Sequence, residues 1–207
     1  MVKPIRYYKH SEPKRIVVKT LKYSDDKGRY DGECIGFERH GKGVHHWPNG
    51  TSYKGEFVND KKHGKGILRW FNGSSYTGDF VNGQICGKGN INYPNGDSYT
   101  GDFVDNKKHG KGCFKHANGN SYIGDWFKGK KHGKGILYWA DGSSYTGDFI
   151  DGKKHGKGIF NWSNGKSYNG DWNDDKRHGN GVLCLINGDK YENIWVEDKT
   201  IGEYIRI

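Results

Sequence analysis

The chain is 207 residues long, room for one ordinary domain or two small ones, and carries a formal net charge of +10. Hydrophobic residues make up 32% and mean hydropathy is −1.01, which excludes a thick apolar core. Disorder would suit that balance, but aromatics reach 14% and there are only four prolines, so aromatic area is expected to be buried on one face of a thin structure.

Residues 1–29 form a basic N-terminal segment and a capping strand. No run approaches the roughly 18 apolar residues of a membrane span. The start, Met1-Val2-Lys3-Pro4-Ile5-Arg6-Tyr7-Tyr8, lacks the apolar core of a signal peptide. Neither terminus carries a lipidation signal. Residues 1–15 are expected to be irregular, and the run from Ile16 to Tyr23 looks like the second strand of a lost repeat.

From Tyr30 onward a 23-residue unit recurs seven times: 30–52, 53–75, 76–98, 99–121, 122–144, 145–167 and 168–190. Each copy reads Tyr-x-Gly-Asp/Glu-aromatic, a basic stretch, His-Gly-Lys-Gly, a short apolar run, an aromatic and Asn/Asp-Gly. Counting the tyrosine as position 1, glycine stands at positions 3, 12, 14 and 21 of every copy and so accounts for 28 of the 34 glycines. Glycine here punctuates structure. Residues 191–207 are a degenerate closing repeat, with Asn193 in place of a glycine and Ile201 in place of the histidine.

The pattern, as in Tyr122-Ile123-Gly124-Asp125-Trp126 followed by His132-Gly133-Lys134-Gly135, resembles the MORN (membrane occupation and recognition nexus) family of the repeat-only type. Departures are local: Cys34 replaces the aromatic at position 5, Cys86 replaces a histidine, and Asn180 replaces a lysine.

Positions 1–6 and 13–18 are rich in Tyr, Phe, Ile and Trp and bounded by glycine, the signal for paired strands. The fold class expected is all-β, an elongated single-layer antiparallel β-meander of repeated hairpins, twisted and grooved. A hairpin loop over positions 7–12 would set position 1 opposite position 18, and position 5 opposite the glycine at 14. Tyr122 would then face Trp139, and Trp126 would cover Gly135. Because side chains alternate faces, an odd period demands an odd-length turn or a bulge near Asn-Gly in every copy. Trp139 would lie between Tyr122 and Tyr145, and Trp162 between Tyr145 and Tyr168, as one aromatic ladder. The acidic residue at position 4 falls on the other face, where it is expected to pair with turn lysines.

Four features are candidates for function. Histidines 40, 63, 109, 132, 155 and 178 invite a metal, but ligands about 10 Å apart across a sheet cannot share one ion. They are read as turn histidines bonding nearby carbonyls or aspartates; no metal and no cofactor are expected. His-Gly-Lys-Gly is no phosphate-binding loop, lacking both a following helix and Gly-Lys-Ser/Thr. No catalytic residue is singled out, and the chain is expected not to be an enzyme. Cys34, Cys86, Cys113 and Cys184 form no Cys-x-x-Cys pair and fit a reduced, intracellular protein better than two disulfides.

The third feature is charge. Lys61, Lys62, Lys107, Lys108, Lys130, Lys131, Lys153 and Lys154 are expected to project from one edge, toward an anionic membrane or an acidic partner; alternatively they only keep a thin sheet soluble. Nucleic acid is not expected, since no recognition helix or RNP motif accompanies the charge. The fourth is the aromatic face. Tyr99, Phe103, Tyr122, Trp126, Trp139, Tyr145, Phe149, Trp162, Tyr168 and Trp172 pack on one another, yet one layer cannot cover both its faces, so part of this surface is expected to stay open as a partner groove. A helix or extended segment would fit it.

The leading expectation is a non-enzymatic scaffold binding a partner protein through that groove; the alternative is a peripheral binder of anionic phospholipids through the lysine edge. The resemblance implies a cytoplasmic, cytoskeleton-associated setting: a cilium or flagellum, its axoneme, or the cell cortex. It also implies frequent self-association, so a homodimer through the terminal strands stays open.

Overall fold

Short runs of Tyr, Thr, Phe, Trp and Ile, separated by residues that accept positive φ, are what an antiparallel sheet requires. In the computed structural model, which describes residues 15–22 and 27–207, every such run is a strand. In chain order they are β1 (Ile16–Lys22), β2 (Arg29–Ile35), β3 (Glu38–His46), β4 (Ser52–Val58), β5 (Lys61–Arg69), β6 (Ser75–Val81), β7 (Gln84–Asn92), β8 (Ser98–Val104) and β9 (Lys107–Lys115). They continue as β10 (Ser121–Phe127), β11 (Lys130–Tyr138), β12 (Ser144–Ile150), β13 (Lys153–Asn161), β14 (Ser167–Asn173), β15 (Lys176–Cys184), β16 (Lys190–Val196) and β17 (Lys199–Arg206). Each pairs antiparallel with its sequence neighbours, giving one open meander with β1 and β17 at its edges. The reading of residues 1–14 as irregular, and the end of the first strand at Tyr23, lie outside the described residues.

The hairpin differs from the expected one. Its loop is not positions 7–12 but a two-residue turn at positions 7 and 8. From the second repeat on, both residues take positive φ, as in Asn59 (48°) with Asp60 (65°) and Lys128 (49°) with Gly129 (91°). This mirror-image turn matches the twist of the flanking strands. The basic residues taken for a loop therefore open the next strand, with Phe127 opposite Lys130 and Trp126 opposite Lys131. What resembled a turn, the His-Gly-Lys-Gly run, is a bulge. Gly124 pairs with Gly135 but Asp125 pairs with His132, so Gly133 and Lys134 are extra on their strand, Gly133 with φ of 58°. Two extra residues leave the faces unchanged.

The parity argument finds its answer at the other end. Tyr138 pairs with Ser144, leaving a five-residue connection over 139–143. Trp139 N–H donates to Ser143 O and Gly142 N–H to Trp139 O, each at 3.0 Å. Five is odd, as the 23-residue period requires. Trp139 is thus the first residue of this loop and not the partner of Tyr122, which stands opposite Leu137 and Phe114.

The ring lying over glycine is likewise the tyrosine, not the aromatic at position 5. Tyr122 lies flat along its hairpin, its hydroxyl donating to Asp125 O at 2.9 Å. Beneath it the paired glycines 124 and 135 leave no room for a side chain, since a Cβ on Gly135 would stand 2.5 Å from Tyr122 Cε2. The ring is seated where two Cβ atoms are missing. Standing edge-on to it are Trp126 of its own strand (5.2 Å between centroids, 87°) and Phe149 of the next repeat (5.0 Å, 83°). Both contacts recur at every tyrosine from Tyr53 to Tyr168, and Tyr30, whose own strand carries Cys34 at position 5, joins the row through Phe57 alone. Each edge-to-face pair contributes about 0.5–1.5 kcal/mol beyond area burial. The expected ladder exists, built from positions 1 and 5.

On the opposite face each position-4 carboxylate clasps a bulge. Asp102 Oδ2 accepts the Lys111 N–H at 3.0 Å, inside its own hairpin, while its Oδ1 accepts the Lys88 ammonium of the preceding repeat at 2.9 Å. Carboxylates do oppose the aromatics as expected, but their partners are strand lysines from between the glycines, not turn lysines. The Lys88 bond, aided by the Lys111 N–H and opposed by burial, holds the Asp102 pKa below the ordinary carboxylate value.

Two predictions test this construction. Gly135→Ala should cost about 1–3 kcal/mol in urea denaturation, because the methyl must displace a seated ring. Gly142→Ala, where φ is 90° but the space is open, should cost about 1 kcal/mol of backbone strain. Equal losses would mean that no ring sits on the glycine pair. Asp102→Ala should cost about 1–2 kcal/mol at pH 7. A carboxyl with a lowered folded pKa contributes stability above its unfolded pKa and loses it as pH falls through the folded value. The Asp102→Ala penalty should therefore shrink toward pH 3, as read by melts at both pH values.

Candidate binding groove

Above the aromatic zipper the repeat sets out three further rows. Position 16 (Leu68, Ile91, Phe114, Leu137, Phe160) lies opposite the tyrosines and supplies a floor. Position 18, the first residue of each five-residue loop, places Trp70, Tyr93, His116, Trp139 and Trp162 along one side. Position 10, just past each tight turn, places Arg39, Lys62, Ile85, Lys108, Lys131, Lys154 and Arg177 along the other.

Of the ten aromatics expected to line a groove, eight are core. Tyr99, Phe103, Tyr122, Trp126, Tyr145, Phe149, Tyr168 and Trp172 are all buried, at most 7% exposed. A flat tyrosine roofed by its neighbours leaves no ring face for a partner. Trp139 and Trp162 stay half-buried, on Phe160 at 5.2 and 4.9 Å. The open aromatic surface is therefore the position-18 row, which includes Trp70 and Tyr93.

The lysine pairs divide between the faces, because neighbours in a strand point to opposite sides. Lys61, Lys107, Lys130 and Lys153 stay exposed opposite the aromatic face, where Lys153 meets Asp174 at 2.9 Å and Lys130 meets Asp151 at 3.4 Å. Lys62, Lys108, Lys131 and Lys154 instead fold over the zipper. Lys108 Nζ stands 4.3 Å from the Phe114 ring centre and 4.5 Å from Trp126; Lys154 stands 4.0 Å from Trp172; Lys131 and Lys62 lie 5.4–5.9 Å from their rings. Burial pushes all four ammonium pKa values below the ordinary lysine range. The expected single basic stripe is two rows of different character.

Position 8 of the following repeat faces each folded cation and pairs with the two arginines. Asp60 meets Arg39 and Asp198 meets Arg177, each at 3.0 Å, while Asp175 accepts the Lys154 N–H at 2.9 Å. Beside Lys62, Lys108 and Lys131 that position is Gly83, Gly129 and Gly152. The glycine N–H still bonds the lysine carbonyl, at 2.8 Å in all three. Among the described residues no carboxylate forms an ion pair with those three ammonium groups.

Two hollows open along this stretch. One of about 490 Å³ lies among Lys62, Trp70, Ile85, Tyr93 and Lys108; a second of about 250 Å³ lies among Lys108, His116, Trp126, Lys131 and Leu137. Lys108 and Gly129 belong to both, so the two form one groove. This row could be found in sequence only by knowing the true register, since position 10 had been assigned to a loop.

The histidines at position 11 are strand residues, not turn residues. Nδ1 of His63, His132, His155 and His178 is buried without a hydrogen-bond partner, contrary to the expected bonding to carbonyls or aspartates. Among the described residues no three His, Cys, Asp or Glu side chains converge as a metal site, and the four cysteines are free thiols.

A single-layer sheet of identical hairpins, with its core on one face and a groove above it, defines a repeat-built array. The MORN repeat profile matches residues 38–52, 53–75, 76–98, 99–121, 122–144, 145–167 and 168–190, and the chain belongs to that family. The match to the first copy begins at residue 38, past the position where Cys34 replaces the aromatic. No curated protein sequence matches the chain. Among solved structures it is similar to the TCP domain of Drosophila melanogaster SAS-4 in complex with a proline-rich motif of Ana2, at 15% identity over 93% of this chain and 96% of that one, with a TM-score of 0.48. It is also similar to the TCP10 domain of Danio rerio CPAP, at 12% identity over 93% and 100%, with a TM-score of 0.41.

One prediction concerns the cation row. Lys131→Met should change stability by less than about 1 kcal/mol, since a lost cation–π contact of about that size is offset by removing a desolvated, unneutralised charge. Ile85 already fills the equivalent place. Arg177→Met removes the guanidinium from Asp198, leaving it only the backbone N–H of residue 177, and should cost about 1–2 kcal/mol in the same denaturant melts.

Proposed function

We propose that this chain is a non-catalytic scaffold that holds a partner protein in the groove above its aromatic zipper. The observation that carries the reading is the continuous hollow from Lys62 to Lys131, walled by half-buried Trp70 and Tyr93. Concave apolar surface flanked by Trp and Tyr is the usual seat of interaction energy. The rigid meander beneath it presents that surface without an ordering cost. Membership of the family supports a cytoskeletal setting: the cilium or flagellum with its axoneme, or the cell cortex.

Binding to anionic membrane through the exposed lysines is the weaker reading, because Lys130 and Lys153 already face Asp151 and Asp174. On that face the clasping carboxylates alternate with lysines, which weakens any single-sign field.

Affinity purification from the native cell, comparing wild type with Trp70→Ala/Trp139→Ala, tests the groove. The double variant should keep its far-ultraviolet circular dichroism and lose at least about 90% of specific partner recovery, as expected for hot-spot residues each contributing about 2 kcal/mol. Undiminished recovery of the same partners would sink the reading.

A further inference from the structure

The central groove holds three half-buried ammonium groups that, among the described residues, make no ion-pair contact; Asp97 and Asp175 act on Lys108 and Lys131 only from a distance. Arg39, Lys154 and Arg177 have an aspartate at the facing position 8, whereas Lys62, Lys108 and Lys131 have glycine there. The vacant place is open: a Cβ on Gly83, Gly129 or Gly152 would meet nothing within 4 Å. Three carboxylates that the fold accommodates elsewhere are missing here, side by side with the hollows. Desolvation raises the cost of an unpaired charge and the reward for pairing it.

The spacing of these places selects the shape of what fills them. Equivalent residues of adjacent repeats are two strand spacings apart, about 9.4–9.8 Å. A polyproline II segment crossing the strands advances about 9.3 Å in three residues and returns the same side to the sheet each time. It stays in register to within about 1.5 Å over the three repeats from Lys62 to Lys131. A helix needs seven residues to return the same side and then advances about 10.5 Å, so it slips by about 2–3 Å over the same span. An ordinary β-strand alternates sides every residue and cannot present every third one. Trp70 and Tyr93, which line the larger hollow, supply the aromatic wall against which prolines pack.

We propose that the groove receives an extended, polyproline II-like segment of a partner protein that carries an acidic residue opposite each of Lys62, Lys108 and Lys131 and an apolar residue opposite Ile85. The pattern is acidic-x-x-apolar-x-x-acidic-x-x-acidic, or its reverse, with proline favoured at x. This names the partner chemistry of the proposed scaffold groove and rests on that reading.

The test is titration calorimetry of the full chain with two proline-based ten-residue peptides, one in each order, with Glu and Leu placed three apart to match the three-residue polyproline II turn. One order should bind at least tenfold tighter than a peptide of the same composition with its glutamates adjacent. Gly129→Asp/Gly152→Asp should weaken that binding at least tenfold, because the variant supplies its own carboxylates, as Asp60 does for Arg39 and Asp198 for Arg177. Asp60, Asp175 and Asp198 hold the same turn position with φ of 65–72°, so the variant is expected to fold, and an unchanged circular dichroism spectrum and melting temperature would verify it. Equal binding of the scrambled peptide, or unchanged affinity of the aspartate variant, overturns the proposal. So does tighter binding to a helical acidic peptide, or to phosphatidylcholine vesicles containing phosphatidylserine, that the aspartate variant abolishes. If the peptides fail while Trp70→Ala/Trp139→Ala still loses its cellular partner, only the acidic-segment inference falls. If that double variant keeps its partner, the groove reading itself falls.

Discussion

Everything in this molecule depends on a tyrosine ring lying flat on a pair of glycines. A sheet one layer thick has no second layer to bury its side chains against, so its core must be made within its own face. Removing two Cβ atoms, at Gly124 and Gly135, opens a slot in which Tyr122 folds down against the backbone. The flat ring then offers its flanks to Trp126 and Phe149, and the contact propagates from repeat to repeat. Hydrophobic content of 32% suffices because the buried residues are large and edge-on to one another.

Two backbone devices keep that face coherent. The five-residue connection corrects the parity of a 23-residue period, and the two-residue bulge at Gly133-Lys134 preserves it. The bulge needs an acceptor for its freed N–H, and the position-4 carboxylate provides one while reaching a lysine of the preceding hairpin. Aromatics on one side and carboxylates on the other thus tie each hairpin to its neighbours. The cations at position 10 then have only the roof of the zipper to lie on.

The period, the division of faces and the single-layer meander were legible in the residues, because they follow from strand alternation and from literal repetition. The hairpin register was not. Asn82-Gly83 and Asp151-Gly152 do carry the tight-turn signature, but Lys128-Gly129 and Asp174-Asp175 dilute it, and the paired glycines further on compete as a turn. A bulge with a left-handed glycine and a true turn have the same composition. From that one displacement came the rest: Trp139 as partner of Tyr122, both lysines of each pair on one edge, and histidines in a loop. Burial of Tyr99 and Tyr145 was also hidden, since alternation says which face a ring joins but not whether it stands up or lies down.

The hydrogen bond at position 8 is made by backbone alone: Gly83, Gly129 and Gly152 form it as Asp60 and Asp198 do. An Asp or Asn side chain there adds a second bond, from the backbone N–H of position 10, which a glycine leaves out. From the second repeat on, each therefore has one letter that the fold accepts as glycine or as aspartate, and that letter sets whether the cation beneath it is masked or bare. The array behaves as a ruler whose marks are written independently of the material it is made from. Lengthening it by one repeat adds a mark, and altering one residue inks or erases it.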